Sequence, residues 1–113
     1  MSQQLAGKVA YITGSASGIG KAIALLYAQE GAKIVIADLN KEAAEATAKE
    51  LQALGAQAIG LAVDVTNEDQ VNDSVEQTVK QFGGVDILVS NAGIQIVNPV
   101  QDFTFADWKK MLA

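Results

Sequence analysis

Short apolar runs that alternate with stretches of helical periodicity constrain this chain more than any other feature. Val9-Ala10-Tyr11-Ile12-Thr13, Ile34-Val35-Ile36-Ala37, the stretch from Ala58 to Val63, and Ile87-Leu88-Val89 show little polar alternation. A strand that is apolar on both sides has to be buried on both faces, which is the situation of parallel strands between helix layers. Between the runs the period lengthens. Ile19, Ile23, Leu26 and Tyr27 share one predicted helical face, stopped by Gly31. Asn40 is the predicted cap of a helix carrying Ala44, Ala48, Leu51 and Leu54, with Gly55 at its end. Thr66 and Asp69 have capping-box spacing ahead of Val71, Val75, Val79 and Phe82, and Gly83-Gly84 end that stripe. The pattern reads βαβαβαβ: an α/β sheet of parallel strands joined by right-handed crossovers, with helices on both faces. An irregular stretch is expected from Gly93 through Pro99. Thr104 would then cap the start of a further helix holding Trp108, Met111 and Leu112, which Ala113 interrupts like a cut.

Composition removes whole classes of function. A chain of 113 residues has enough material for one core and too little for two. Its net charge is −5, with eight Lys and no Arg, so neither nucleic acid nor an anionic membrane is an expected partner. No His and no Cys are present, which excludes zinc sites, disulfides, thiol chemistry and His-based triads. No basic segment leads into an apolar stretch at the N-terminus, and no apolar run approaches the roughly 20 residues of a membrane span. A cytoplasmic location is the expectation.

The first predicted strand enters its helix through Thr13-Gly14-Ser15-Ala16-Ser17-Gly18-Ile19-Gly20. Gly14 would permit the tight turn, Gly18 would let a pyrophosphate approach the backbone, and Gly20 would let helix and strand pack closely. The unpaired N–H groups of the helix's first turn would face the phosphates. A P-loop fails here, because Ser15 takes its first glycine position and Ala22 its metal-binding hydroxyl position. A strand–turn–helix unit followed by an acid at the end of the second strand predicts dinucleotide binding on a Rossmann-type doubly wound sheet. Asp38, 18 residues beyond Gly20, can accept hydrogen bonds from both ribose hydroxyls, and it disfavours a 2′-phosphate. NAD is therefore the expected cofactor. Asp64 could meet the adenine amino group or serve as a helix N-terminal charge, and residue types alone leave the two open.

Gly14-x-x-x-Gly18-x-Gly20, Asp38, Asp64-Val65 and Asn91-Ala92-Gly93, in this order, resemble the short-chain dehydrogenase/reductase family. The resemblance covers essentially the whole chain and corresponds to the cofactor-binding first half of such an enzyme. It implies a cofactor site made of Gly14, Ser17, Gly18, Ile19, Gly20, Asp38, Leu39, Asp64, Val65, Asn91, Ala92 and Gly93. It also implies strand order 3-2-1-4, with the fifth strand that normally flanks the fourth missing, so that the fourth is left an open edge that invites pairing with another chain. The complete enzyme is implied to be a homotetramer. Asn91-Ala92-Gly93-Ile94-Gln95, with Pro99, Asp102-Phe103 and Trp108, is similar to a subgroup that oxidises (R)-3-hydroxybutyrate to acetoacetate. There the residue matching Gln95 binds the substrate carboxylate. Ile96 stands where that subgroup often has His, and Ser90 stands where many relatives have a second Asn.

The family's chemistry is carried by an Asn, a Ser and a Tyr-x-x-x-Lys pair. Tyr11 is followed four residues on by Ser15 and Tyr27 by Gly31, so neither makes the pair, and no catalytic residue is assigned. Residues 1–113 are thus expected to form one dinucleotide-binding domain, truncated before its catalytic half and inactive alone. The enzyme it belongs to would oxidise a hydroxy acid or another secondary alcohol. The competing readings are a non-catalytic nucleotide-binding module and an excised folding unit.

Overall fold

The computed structural model describes residues 5–90 and the backbone of residues 93–96. Its elements run β1 (Val9–Thr13), α1 (Gly18–Gln29), β2 (Lys33–Asp38), α2 (Lys41–Ala53), β3 (Ala58–Ala62), α3 (Glu68–Phe82), β4 (Ile87–Ser90) and β5 (Gly93–Ile96). The sheet order is β3-β2-β1-β4-β5. The pairs β1–β2, β2–β3 and β1–β4 are parallel. The chain steps outward from β1 to β3 and then returns to the other side of β1, so the order reverses between β1 and β4. Ligands of open α/β sheets bind outside the strands' carboxyl ends at such a reversal.

Alternation along the central strand divides the core in two. Ala10 and Ile12 pack with Ile34, Ile36 and Ala58 against α1 and α2, while Tyr11 packs with Val35, Val63 and Leu88 against Val71 of α3. The register makes this possible, because Tyr11 stands level with Val35 on one side and Leu88 on the other. Burying each large apolar side chain in these layers contributes about 1.5–3 kcal/mol. Tyr11 is almost fully buried, and its hydroxyl lies 2.6 Å from Ser74 Oγ, a polar link between β1 and α3.

The helices meet the sheet through smaller residues than their apolar stripes predict. On α1 the buried residues are Gly20 and Ala24, whereas Ile19 is 77% and Leu26 55% exposed. The cause is close approach. A Cβ on Gly20 would lie 2.3 Å from the Gly14 carbonyl oxygen, so Gly20 and Ala24 take the innermost line. Ile23 and Tyr27 pack half-buried against the core beside them as expected, and Ile19 and Leu26 turn outward. On α2, Ala44, Thr47, Ala48 and Leu51 are buried, while the expected Leu54 is 66% exposed. Gly60 of β3 admits this helix: a Cβ there would lie 2.5 Å from the Ala44 backbone.

Asn40 caps α2 as expected, its Oδ1 accepting the Ala43 N–H at 3.0 Å. The cap of α3 differs from the expected Thr66. Asn67 Oδ1 accepts the Gln70 N–H at 3.1 Å, and Thr66 turns back to Asp64 instead. A second difference lies after β4. The expected irregular stretch begins instead with β5, which pairs antiparallel to β4 with Leu88 opposite Gln95 and Ser90 opposite Gly93. The fourth strand is therefore not an open edge. Its outer N–H and C=O groups are strong hydrogen-bonding groups, and β5 pairs them. The expected helix from Thr104 lies outside the described residues.

Candidate functional site

The predicted site residues that are described, from Gly14 to Val65, lie where the parallel strands end. Gly14 and Gly18 both adopt left-handed backbone conformations, at φ of 60° and 61°. The turn between them is held from beneath. Gly14 N–H donates to the Ala37 carbonyl at 2.8 Å, and the buried Ser15 hydroxyl donates to the Ile12 carbonyl at 2.7 Å. Ala16 N–H donates to Asp38 Oδ2 at 3.1 Å, and Thr47 Oγ1 donates to the Ala16 carbonyl at 3.3 Å.

Above the turn, α1 begins without a side-chain cap. Ser17 holds the N-cap position of α1 but makes no side-chain cap bond, and the first turn carries no acid. Helices α2 and α3, by contrast, are capped by Asn40 and Asn67 and carry acids in their first turns. The opening N–H groups of a helix carry its positive dipole end, so this one suits an anion. At Gly18 no atom lies within 4 Å of where a Cβ would stand. The donor set and the open space fit a pyrophosphate.

Asp38 ends β2 beside this turn. Its Oδ1 accepts the Asn40 N–H at 3.2 Å while Oδ2 holds Ala16. The neighbouring Leu39 is 75% exposed, a large apolar side chain at the same end of the sheet as the exposed Ile19. Beyond β3, Asp64 Oδ1 accepts the Thr66 hydroxyl at 2.6 Å and the Thr66 N–H at 2.9 Å. The Thr66 hydroxyl, and next the Thr66 N–H, hold the Asp64 carboxyl below its ordinary 3.8. A depressed carboxyl stabilises the fold above that ordinary value, and the contribution fades as acidification protonates it. Val65 is half-buried against the α3-side core. Gly93 opens β5, while Asn91, Ala92 and the side chain of Gln95 lie outside the described residues.

Sequence reasoning missed Ser15 and Thr47 as supports of the turn. The available signal was a hydroxyl at an otherwise apolar helical position, three residues after Ala44. It also missed Gln70, whose Oε1 accepts the Asp64 N–H at 2.9 Å. Tyr11 is no proton donor for this site. Burial pushes its phenol far above the ordinary 10, against a smaller lowering by Ser74. Among the described residues no cluster of His, Cys, Asp and Glu could hold a metal ion, and no helix is long and apolar enough to cross a membrane.

Comparison with known proteins agrees with this geometry. A sequence model of the family described as short chain dehydrogenase matches residues 8–113. The 2,5-dichloro-2,5-cyclohexadiene-1,4-diol dehydrogenase of Sphingobium indicum is 42% identical over 113 residues, covering 100% of this chain and 45% of that protein. The 3-oxoacyl-(acyl-carrier-protein) reductase of Thermotoga maritima is 46% identical over 91 residues, covering 80% of this chain and 37% of that protein. A solved short chain dehydrogenase/reductase from Burkholderia phymatum, in complex with NAD, matches with a TM-score of 0.72 at 41% identity, over 75% of this chain and 30% of that one. The chain spans less than half the length of these curated relatives.

Proposed function

The chain belongs to the short chain dehydrogenase family, and from that premise we propose that residues 1–113 form the NAD-binding domain of an oxidoreductase that acts on secondary alcohols. The observation that carries this reading is the uncapped N-terminus of α1 above a glycine turn that is held to the carboxylate ending β2. Gly14, Ser17, Gly18, Ile19 and Gly20 would hold the pyrophosphate. Asp38 and Leu39 would hold the adenosine ribose, Asp64 and Val65 the adenine, and Asn91, Ala92 and Gly93 the inner ribose. When bound, NAD supplies the hydride acceptor. The protein's part is to orient it and to exclude the phosphorylated form by charge.

Titrating NADH and ADP into the purified chain tests the reading. Both are expected to bind, with no turnover of NAD and 3-hydroxybutyrate, because no Tyr-Lys pair is present to move the hydroxyl proton. Failure of both ligands to bind would remove the dinucleotide site.

The finer proposal is (R)-3-hydroxybutyrate as substrate in a cytoplasmic homotetramer, and its substrate rests on Gln95. The named substrates of the relatives are diverse, so this residue is the place to test it. A side-chain amide facing a carboxylate in a water-excluded site contributes about 1.5–3 kcal/mol. In an enzyme that carries the catalytic half, Gln95→Ala is expected to lower kcat/KM for 3-hydroxybutyrate about tenfold or more, with NAD affinity nearly unchanged. Wild-type efficiency would discard this substrate.

A further inference from the structure

Three helical hydroxyl residues are buried among the described residues: Thr47 on α2, and Ser74 and Thr78 on α3. A hydroxyl in the middle of a helix ordinarily donates to a carbonyl one turn back. Two of these do so. Ser74 donates to the Val71 carbonyl and Thr78 to the Ser74 carbonyl, each at 2.8 Å. Thr47 instead leaves its own helix and donates to the carbonyl of Ala16, 31 residues earlier in the chain.

Ala16 is thereby held at both of its backbone polar groups, its carbonyl by Thr47 and its N–H by Asp38 Oδ2. The connections close a ring. Asp38 Oδ1 accepts from Asn40, Asn40 caps α2, and α2 carries Thr47 back to Ala16. Ala16 also lies midway between two glycines at positive φ, where the backbone has most freedom and a tether has most effect.

We infer that Thr47 is a positioning residue for the phosphate-binding turn, acting through the Ala16 carbonyl and touching no cofactor itself. The inference rests on the dinucleotide-binding reading for its consequence, but not for its geometry. Thr47 fixes the turn in the shape a pyrophosphate needs before any nucleotide arrives. In its absence part of the binding free energy would go into ordering the turn.

Two measurements on Thr47→Val and Thr47→Ser separate the layers. Valine keeps the branched shape and loses the hydroxyl, whereas serine keeps the hydroxyl. Without nucleotide, amide hydrogen exchange should quicken in Thr47→Val at residues 16–20, remain unchanged in α3, and return toward wild type in Thr47→Ser. Loss of one such bond should weaken ADP and NADH about two- to tenfold in Thr47→Val, leave adenosine unaffected, and be rescued by serine. Unchanged exchange at residues 16–20, or an equal rise in α3, overturns the positioning role. Local loosening in a protein whose wild type binds neither ADP nor NADH leaves Thr47 as the tether and sinks the dinucleotide reading instead.

Discussion

Gly20→Ala is expected to weaken NADH binding about a hundredfold, the equivalent of roughly 3 kcal/mol, and to destabilise the fold by ~3 kcal/mol, at the upper end of what overpacking usually costs. The added Cβ would lie 2.3 Å from the Gly14 carbonyl oxygen and 2.9 Å from the Ser15 Cα. Both neighbours are backbone, so no rotamer change relieves the overlap. The helix has to lift or the turn has to open, and either one displaces the opening N–H groups of α1 that are proposed to meet the phosphates. Gly18→Ala provides the control. Its Cβ would meet nothing within 4 Å, but φ is 61°, so the strain is the left-handed penalty of about 1–2 kcal/mol. Gly18→Ala should therefore lose affinity with a smaller loss of stability. Urea unfolding and NADH titration on the two variants measure both quantities. A Gly20→Ala protein with wild-type stability and affinity would contradict the close packing described here.

Asp38→Ala is expected to narrow the preference for NAD over NADP by tens-fold, and also to weaken NAD itself. A carboxylate about 4 Å from a 2′-phosphate costs about 4 kcal/mol at an effective dielectric near 20, and half of that already gives tens-fold discrimination. The structure adds a second effect. Asp38 also accepts the Ala16 N–H and the Asn40 N–H, so alanine removes the acceptor that anchors the turn along with the charge proposed to exclude a 2′-phosphate. Asp38→Asn separates the two, because it removes the charge and keeps one acceptor oxygen. It should admit NADP with a smaller loss of NAD affinity than alanine causes. Equal affinity of the wild type for the two cofactors would refute the assignment of Asp38.

The features legible in the sequence were those with a local cause. Runs such as Ile34-Val35-Ile36-Ala37 have no polar side to turn to water, and the structure buries all four. The glycines of the turn declared themselves by spacing, and Asn40 and Gly55 stood where a helix needs its ends. What stayed hidden depends on contacts between distant residues. The stripe of α1 was right for Ile23 and Tyr27, which pack against the core, and wrong for Ile19 and Leu26, because Gly20 sets how close the helix sits and that closeness puts Ala24 in the interior. Thr47 reaches a turn 31 residues away, which no periodicity encodes. The pairing of β5 depends on an edge created only once β4 has joined the sheet. At α3 the error was one residue, because Thr66 and Asn67 are both good caps and the hydrogen bond to Asp64 decided between them.

The contact of α2 with β3 gives the molecule two materials with different freedom to change. Its inner side is a seam of Ala44, Ala48 and Gly60, where a Cβ added at Gly60 would stand 2.5 Å from the helix backbone. Its outer side, with Glu42, Glu45, Ala46, Lys49 and Glu50, is open to solvent. Substitutions on the outer side meet only solvent and exposed ion pairs such as Lys21–Glu50, so they should cost little. The seam allows no such drift: a single added methyl group at Gly60 would press on the backbone of the helix that carries Thr47, and through Thr47 on the turn proposed to hold the nucleotide.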